Sequence, residues 1–311
     1  MESDIKIFSC RNTINLAQDI AKSCSLDLGK VSIVDFSDGE CEPSFDETVR
    51  GKEVYIVQSI VPPAENLMEL LLMVDAAKRA SAKSIIAVVP YFGYARQDKK
   101  GKPRVPIGAK LVSNLLIAAG VNRIMTMDLH ADQIQGFFEV PVDHLFASTI
   151  FVPYIQSLEL DELTIASPDI GGARMANAYA RFLNAEVVIC YKHREKPNEV
   201  SKLMLIGDVK DKNVILVDDI VDTAGTISKA SDMMIEQGAK SVRAICTHGV
   251  LSGNALDKIG ASKMSELIIS DTIPNNNKEF KKVKILTVSN LFGDVIKKVN
   301  AKESISNSFI C

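Results

Sequence analysis

Short runs rich in valine and isoleucine alternate with stretches of helical period along nearly the whole sequence. That alternation limits the fold more than any other feature. The runs fall at 31–36 (VSIVDF), 53–58, 84–89 (SIIAVV), 123–127, 164–167, 187–191, 213–217 (NVILV), 242–246, 267–270 and 285–288. Helical patterns at 66–81, 106–119, 171–183 and 225–237 lie between them. Strands apolar on both faces need cover on both faces, and intervening helices supply it. The expected class is therefore α/β, with mainly parallel sheets flanked by helices. The stretch 66–81 is apolar almost all round, at Leu67, Leu70, Leu71, Val74 and Ala77. Such a helix is expected to be buried against a sheet and, on a second side, against a partner.

At 311 residues the chain has material for about two domains, and a faint internal repeat suggests two of one kind. KEV at 52–54 returns as KNV at 212–214, each opening a strand, and AKSIIAV at 82–88 returns as AKSVRAI at 239–245. Chance likeness among βα units is the competing explanation. Duplication gives expected domains 1–148 and 149–311, with a C-terminal tail able to pack back on the first.

Charge excludes little but directs the reading. With 36 Lys+Arg against 39 Asp+Glu, the net charge of −3 offers no global attraction for nucleic acid. No run approaches the ~18 apolar residues of a membrane span. The start, MESDIKIFSC, lacks the basic and apolar regions of a signal peptide. Six scattered cysteines (10, 24, 41, 190, 246 and 311) show no CxxC pair and no zinc-type spacing. A reducing, cytoplasmic setting is expected.

Polar clusters follow several strands, at the carboxyl ends where open parallel sheets hold ligands. The most informative is VDDIVDTAGT at 217–226. Asp218 and Asp219 leave the strand, and Asp222-Thr223-Ala224-Gly225-Thr226 makes a small-residue turn into a helix. Such a turn aims backbone N–H groups and two hydroxyls at a phosphate, while the carboxylates can take the vicinal hydroxyls of a sugar. Helix capping alone leaves most of these residues unexplained. MDLHADQIQGFF at 127–138 sets Asp128 and His130 just after a strand. That His could hold a hydrated divalent cation, touch a nucleotide phosphate, or be structural. SPDIGG at 167–172 adds Asp169, at a position where many acids simply begin a helix. YFGYARQDKKGKPR at 91–104 joins aromatics able to stack a base to Arg96, Lys99, Lys100, Lys102 and Arg104. A mobile flap over phosphates and a solvated surface loop both fit it. YKHREKPNEV at 191–200 sets Lys192 and Arg194 two apart after a strand. Neither G-x-x-x-x-G-K-[ST] nor G-x-G-x-x-G occurs, which excludes a P-loop kinase and a dinucleotide loop.

Taken in order, FSDGE (36–40), RGKEVYIVQS (50–59), NLMELL (66–71), YFGYARQDKK (91–100), MDLHADQIQGFF, SPDIGG, VDDIVDTAGT, THGVLSG (247–253) and ESIS (303–306) resemble the ribose-phosphate pyrophosphokinases along the whole chain. Only VDDIVDTAGT is shared with the wider phosphoribosyltransferase class. The resemblance implies two phosphoribosyltransferase-like domains and hexamers built from dimers, with active sites shared between subunits. It implies Mg2+ and the reaction of ATP with ribose 5-phosphate to give 5-phosphoribosyl 1-diphosphate and AMP, for nucleotide biosynthesis. Phe36, Asp38, Gly39 and Glu40 would receive adenine from a neighbouring subunit, with Arg96 and Gln97 holding ATP from the other side. His130 and Asp169 match the magnesium positions. Lys192 and Arg194 match the catalytic pair, and Arg194 would also touch ribose 5-phosphate. Asp218, Asp219, Asp222, Thr223, Ala224, Gly225 and Thr226 match the ribose 5-phosphate site.

Two alternatives compete. A phosphoribosyltransferase would need neither two such domains nor the FSDGE and YARQD segments. A non-catalytic regulatory homologue would not need the intact flap, His130, Lys192 and Arg194. Thr48 stands where the family usually has Ser, the flap at 99–106 is less basic than in many relatives, and the tail NSFIC at 307–311 is unusual. These departures bear on regulation and leave the reaction untouched.

Overall fold

A computed structural model describes residues 4–193, 202–275 and 280–306. They form two compact units, one of residues 4–146, 272–274 and 287–306, the other of residues 147–271, 275 and 280–286.

The first unit contains, in chain order, β1 (Ile5–Ser9), α1 (Ile14–Ser23), β2 (Val31–Asp35), β3 (Cys41–Phe45), β4 (Glu53–Val57), α2 (Glu65–Arg79), β5 (Ser84–Val89), α3 (Gly108–Ala119), β6 (Arg123–Met127) and β7 (Val142–Leu145), with α8 (Ser289–Asn300) added from the end of the chain. Five strands make a wholly parallel sheet in the order β1-β4-β5-β6-β7. Val54, Ile56, Ile85, Ala87 and Ile124 point to one face and pack with Leu70, Met73, Val74 and Ala77 of α2 and with Val112 and Leu116 of α3. The opposite residues Tyr55, Val57, Ile86 and Val88 are buried as well. Burial on both faces is what unbroken Val/Ile runs require. Helix α2 hides Leu70, Val74 and Ala77 as expected, but Met68 is 54% exposed.

The run at 31–36 departs from expectation. Residues 31–35 join no parallel sheet; β2 pairs antiparallel with β3, from Val31 opposite Phe45 to Asp35 opposite Cys41. Alternating burial along β2 marks a ribbon with one wet face. Phe45 anchors it to β1, edge-on to Phe8 at 4.6 Å between ring centroids.

The second unit contains α4 (Ser148–Gln156), β8 (Leu163–Ser167), α5 (Ala173–Leu183), β9 (Glu186–His193), β10 (Lys202–Ile206), β11 (Asn213–Val221), α6 (Gly225–Glu236), β12 (Ser241–Gly249), α7 (Ala255–Ala261), β13 (Glu266–Ser270) and β14 (Val283–Leu286). The sheet order is β10-β9-β8-β11-β12-β13-β14, and every pairing is parallel except that of β10 with β9. Strand β14 begins two residues earlier than the sequence suggests.

The two units repeat one plan. The order β1-β4-β5-β6-β7 is answered strand for strand by β8-β11-β12-β13-β14. The repeated segments also bond alike. Lys83 N–H donates to Lys52 O at 2.8 Å, and Lys240 N–H to Lys212 O at 2.8 Å. Gly51 N–H donates to Ser81 O and Asp211 N–H to Gly238 O, each at 2.9 Å. Between its first two core strands each unit carries a helix and two further strands, α1 with the ribbon β2–β3 in one and α5 with β9 and β10 in the other.

Candidate active site

In the first unit three polar segments follow the carboxyl ends of strands. The hairpin tip Phe36–Glu40 is a closed turn. Phe36 N–H donates to Glu40 O at 2.8 Å, Gly39 N–H to Phe36 O at 3.0 Å, and Glu40 N–H to the Asp38 carboxylate at 3.0 Å. Gly39 has φ +94°, which a side chain would resist. The whole tip is exposed, including the Phe36 ring at 46%.

After β5 the chain makes a tight descent. Tyr91 O accepts from Ile60 N–H at 2.9 Å, and buried Phe92 meets Phe138 edge-on at 5.6 Å. The YFGYARQD and MDLHADQIQGFF segments are thus locked together by one aromatic pair. Arg96 and Gln97 follow on an exposed turn, closed by Gln97 N–H to Tyr94 O at 2.9 Å. Residues 99–107 form neither helix nor strand. Gly93 is pressed so closely on this descent that a Cβ there would sit 1.9 Å from Ile60 O. Gly93→Ala is therefore expected to cost about 2 kcal/mol or more, lowering Tm by several degrees. A variant melting at the parent temperature would show slack in the turn.

After β6, Asp128 is almost fully buried with φ +36°, a conformation that Asp tolerates better than most residues. Leu129 N–H donates to the buried His144 Nε2 at 2.9 Å. This kink leaves His130 as the exposed group of the pair.

In the second unit β11 overruns β8. Its ladder with β8 ends at Leu216 opposite Ala166, while its ladder with β12 continues to Val221 opposite Gly249. Asp218 and Asp219 therefore lie within the strand and not beyond its end, where the sequence pattern sets them. Asp219 N–H donates to the Asp218 carboxylate at 2.9 Å. Asp169, just past β8, also accepts from Gly172 N–H at 3.0 Å, the helix-starting role its position allows. Burial, then repulsion from Asp219 and Asp169, pushes the Asp218 carboxyl up to about 8.

That shift has a definite sign. The folded chain keeps a proton that an unfolded chain releases near pH ~4. The stabilisation is complete below that pH and is lost progressively as the pH rises to about 8. The ligand-free protein is expected to lose Tm as the pH rises from ~4 to about 8, and Asp218→Asn to flatten that stretch. A parallel fall in the variant would assign the slope to other groups.

The turn after β11 is braced from a segment whose role the sequence left open. Leu251 N–H donates to Val221 O at 3.1 Å and Ser252 N–H to Asp222 O at 3.0 Å, and Ser252 Oγ donates to the Asp222 carboxylate. Lys258 Nζ donates to Thr223 O at 3.0 Å. Ala224 takes the left-handed conformation, φ +57°, and turns the chain into α6. The first-turn amides of a helix lack intrahelical acceptors, so this end of α6 offers donors to an anion. Asp222, Thr223, Ala224, Gly225 and Thr226 are thus gathered at one helix start, with Asp218 and Asp219 on the strand that leads to it.

Lys192 lies on β9, its backbone opposite Leu203 of β10. Arg194 and the tail 307–311 lie outside the described residues. Among the described residues no three His, Cys, Asp or Glu side chains are disposed to hold a metal by themselves. Nor is any described helix long and apolar enough to cross a membrane. The five described cysteines are free thiols.

Two family models match the chain: the N-terminal domain of ribose phosphate pyrophosphokinase over residues 5–120, and the phosphoribosyl synthetase-associated domain over residues 167–310. The ribose-phosphate pyrophosphokinase of Porphyromonas gingivalis is 53% identical over 309 residues, spanning 99% of this chain and 98% of that protein. The Campylobacter jejuni ribose-phosphate pyrophosphokinase is 51% identical over 98% of this chain and 99% of its own. The crystal structure of phosphoribosylpyrophosphate synthetase from Mycobacterium smegmatis superposes with a TM-score of 0.91 at 38% identity, covering 96% of this chain and all of that one.

Proposed function

Because the chain belongs to the ribose-phosphate pyrophosphokinase family, we propose that its two sets of polar loops divide the substrates of that reaction between them. The enzyme transfers the pyrophosphoryl group of ATP to the anomeric O1 of ribose 5-phosphate, giving 5-phosphoribosyl 1-diphosphate and AMP. The observation that carries this reading is the full-length match, 53% identical over 99% of the chain.

The chemistry assigns tasks to the loops. A bond forms between O1 and the β-phosphorus, the bond from that phosphorus to the α,β-bridging oxygen breaks, and AMP leaves with the electron pair. The O1 proton passes to solvent or a neighbouring base. Such a transfer needs alignment and charge neutralisation more than a covalent nucleophile. Phe36, Asp38, Gly39 and Glu40 take the adenine, with Arg96 and Gln97 on ATP. Thr223–Thr226 and the start of α6 take the 5-phosphate, and Asp218, Asp219 and Asp222 take the ribose hydroxyls. Lys192 and Arg194 neutralise the charge that develops on the transferring group.

A divalent cation fits this chemistry. Asp218, Asp219 and Asp169 bring three carboxyl groups together, and burial with their mutual repulsion pushes the Asp218 carboxyl up. Mg2+ is commonly bound by one or two protein groups together with substrate phosphates and water, so a dedicated cage is not required. His130 and Asp169 would hold it, and bound Mg2+ would neutralise phosphate oxygens.

The same reading extends to assembly. Residues 1–148 and 149–311 are taken as two copies of one ancestral domain, supported by the matching strand orders and hydrogen bonds. A hexamer of dimers with shared active sites is supported by the exposed apolar residues Val34 and Phe36 on the ribbon that carries the adenine wall. Free thiols agree with a cytoplasmic setting.

A coupled assay for AMP, with Mg2+ and with ribose 5-phosphate present or omitted, tests the function. AMP should form in step with 5-phosphoribosyl 1-diphosphate and only with the sugar. No AMP from folded protein would favour the regulatory homologue. Consumption of 5-phosphoribosyl 1-diphosphate with a free base would favour the transferase.

A further inference from the structure

We propose that Arg11 is a positioning residue for ATP, clamping the tip of the β2–β3 ribbon to the body of its own unit. The inference rests on the reading of residues 36–40 as the adenine wall. Arg11 opens a short 3-10 turn, Arg11–Thr13, immediately past β1. Its backbone N–H donates to one oxygen of Glu69 at 2.7 Å and its Nε to the other at 2.7 Å. Glu69 projects from α2 and is only 3% exposed. The other arm of the guanidinium donates to both oxygens of Asp35, at 2.8 and 2.7 Å. Asp35 is the last residue of β2 and the direct neighbour of Phe36. Cys41 lies opposite Asp35 in the ribbon.

The arrangement explains how an exposed ribbon can present a fixed wall. An isolated two-stranded ribbon is marginal in water. This one is tied down at its far end by Phe45 on Phe8 and by Glu47, which pairs with Lys6. Strand β3 also packs along α2, and near the tip the described side-chain tether on β2 is Arg11. An ordinary surface ion pair would add little. Here one arm of a planar fork is already fixed by a buried carboxylate, so the second arm is held in place for Asp35. Glu69 and Arg11 thereby transmit the position of α2 to Phe36, Asp38 and Glu40. Loosening the tip would lower the fraction of tips able to receive adenine, weakening ATP binding by that fraction.

The test uses Asp35→Asn, Arg11→Ala, Arg11→Lys and the double variant Arg11→Ala/Asp35→Asn. Asp35→Asn leaves the Arg11–Glu69 pair intact and keeps the test available should Arg11→Ala fail to fold. KM for ATP is expected to rise about three- to tenfold in Asp35→Asn and Arg11→Ala. Arg11→Lys, charged but unable to fork, should fall between them and the parent. KM for ribose 5-phosphate and kcat should stay within about twofold. Amide exchange should quicken at Phe36 and Gly39, whose N–H groups close the turn. The double variant should be no worse than Arg11→Ala, because both substitutions break one link. Unchanged exchange and unchanged KM would overturn the clamp itself and leave the adenine assignment standing. Faster exchange with unchanged KM for ATP would overturn the proposal through the adenine assignment. Additive losses in the double variant would show that Arg11 does not act through Asp35.

Discussion

Replacing Lys192 with alanine is expected to lower kcat by about 10² or more while KM for ATP and for ribose 5-phosphate moves only a few-fold. The backbone explains the site of this effect. Strand β9 pairs with β8 only as far as Ile189 opposite Ser167, then continues to His193. Strand β11 likewise overruns β8 on its other side. The two overruns flank the end of β8, where Asp169 stands. Lys192 is therefore carried on one rim of the sheet end and Asp218 and Asp219 on the other. Before transfer, the charge on ATP would already be met by solvent and by the cation proposed above, so a lysine would add little to binding. In the transition state, charge gathers on the departing oxygen and the transferred phosphates, where a fixed ammonium acts without reorganising solvent. An effect confined to that moment appears in kcat. Steady-state rates near the parent value would end this assignment, whereas equal losses in kcat and in both affinities would indicate a damaged β9–β10 edge.

What the sequence revealed and what it hid divide along physical lines. The core strands β5, β11 and β12 are buried on both faces, so their Val/Ile runs announce themselves locally. Strand β3, CEPSF, carries a glutamate and a proline on a wet ribbon and has no such run to offer. Helix α8 carries a helix-period stripe at Leu291, Phe292, Val295 and Ile296, but its place in the first unit is legible only in three dimensions. Its Gly293 lies against α1 so closely that a Cβ would reach 1.6 Å from Ser23 Oγ, a contact across 270 positions of chain (293 − 23). The site follows the same rule. VDDIVDTAGT could be read because strand, turn and helix start are contiguous. The upward push on the Asp218 carboxyl could not, since it comes first from burial, which only the folded sheet supplies, and then from Asp219 and from Asp169 past another strand. Ser252 and Lys258 brace that turn from a later segment, and Arg11 joins a β-strand end, a buried helix carboxylate and a ribbon. Local pattern locates the chemistry; long-range contact decides how firmly it is held.

Activity is expected to reappear when two dead proteins exchange subunits, one bearing Asp38→Ala/Glu40→Ala and the other Lys192→Ala. The proposal that the adenine wall and the flap meet from different chains demands it. Phe36, Asp38 and Glu40 stand on an exposed ribbon whose apolar residues Val34 and Phe36 are 52% and 46% exposed. Arg96 and Gln97 stand on a separate turn, anchored through the Phe92–Phe138 pair. A wall supplied by a neighbour gives a closing flap something fixed to close against, which aligns ATP for attack. In a mixed assembly, some interfaces join the intact 36–40 segment of the Lys192→Ala chain to the intact Lys192 of the other chain, and those sites contain no substitution. The reciprocal sites contain all three substitutions and stay silent, so rescue should level off at a fraction of parental activity and track the extent of exchange. Neither parent alone can generate an intact site, so any AMP formed above both parents reports sharing. If labelled subunits demonstrably exchange and no activity returns, each chain supplies its own adenine wall. The exposed face of the ribbon would then need another explanation.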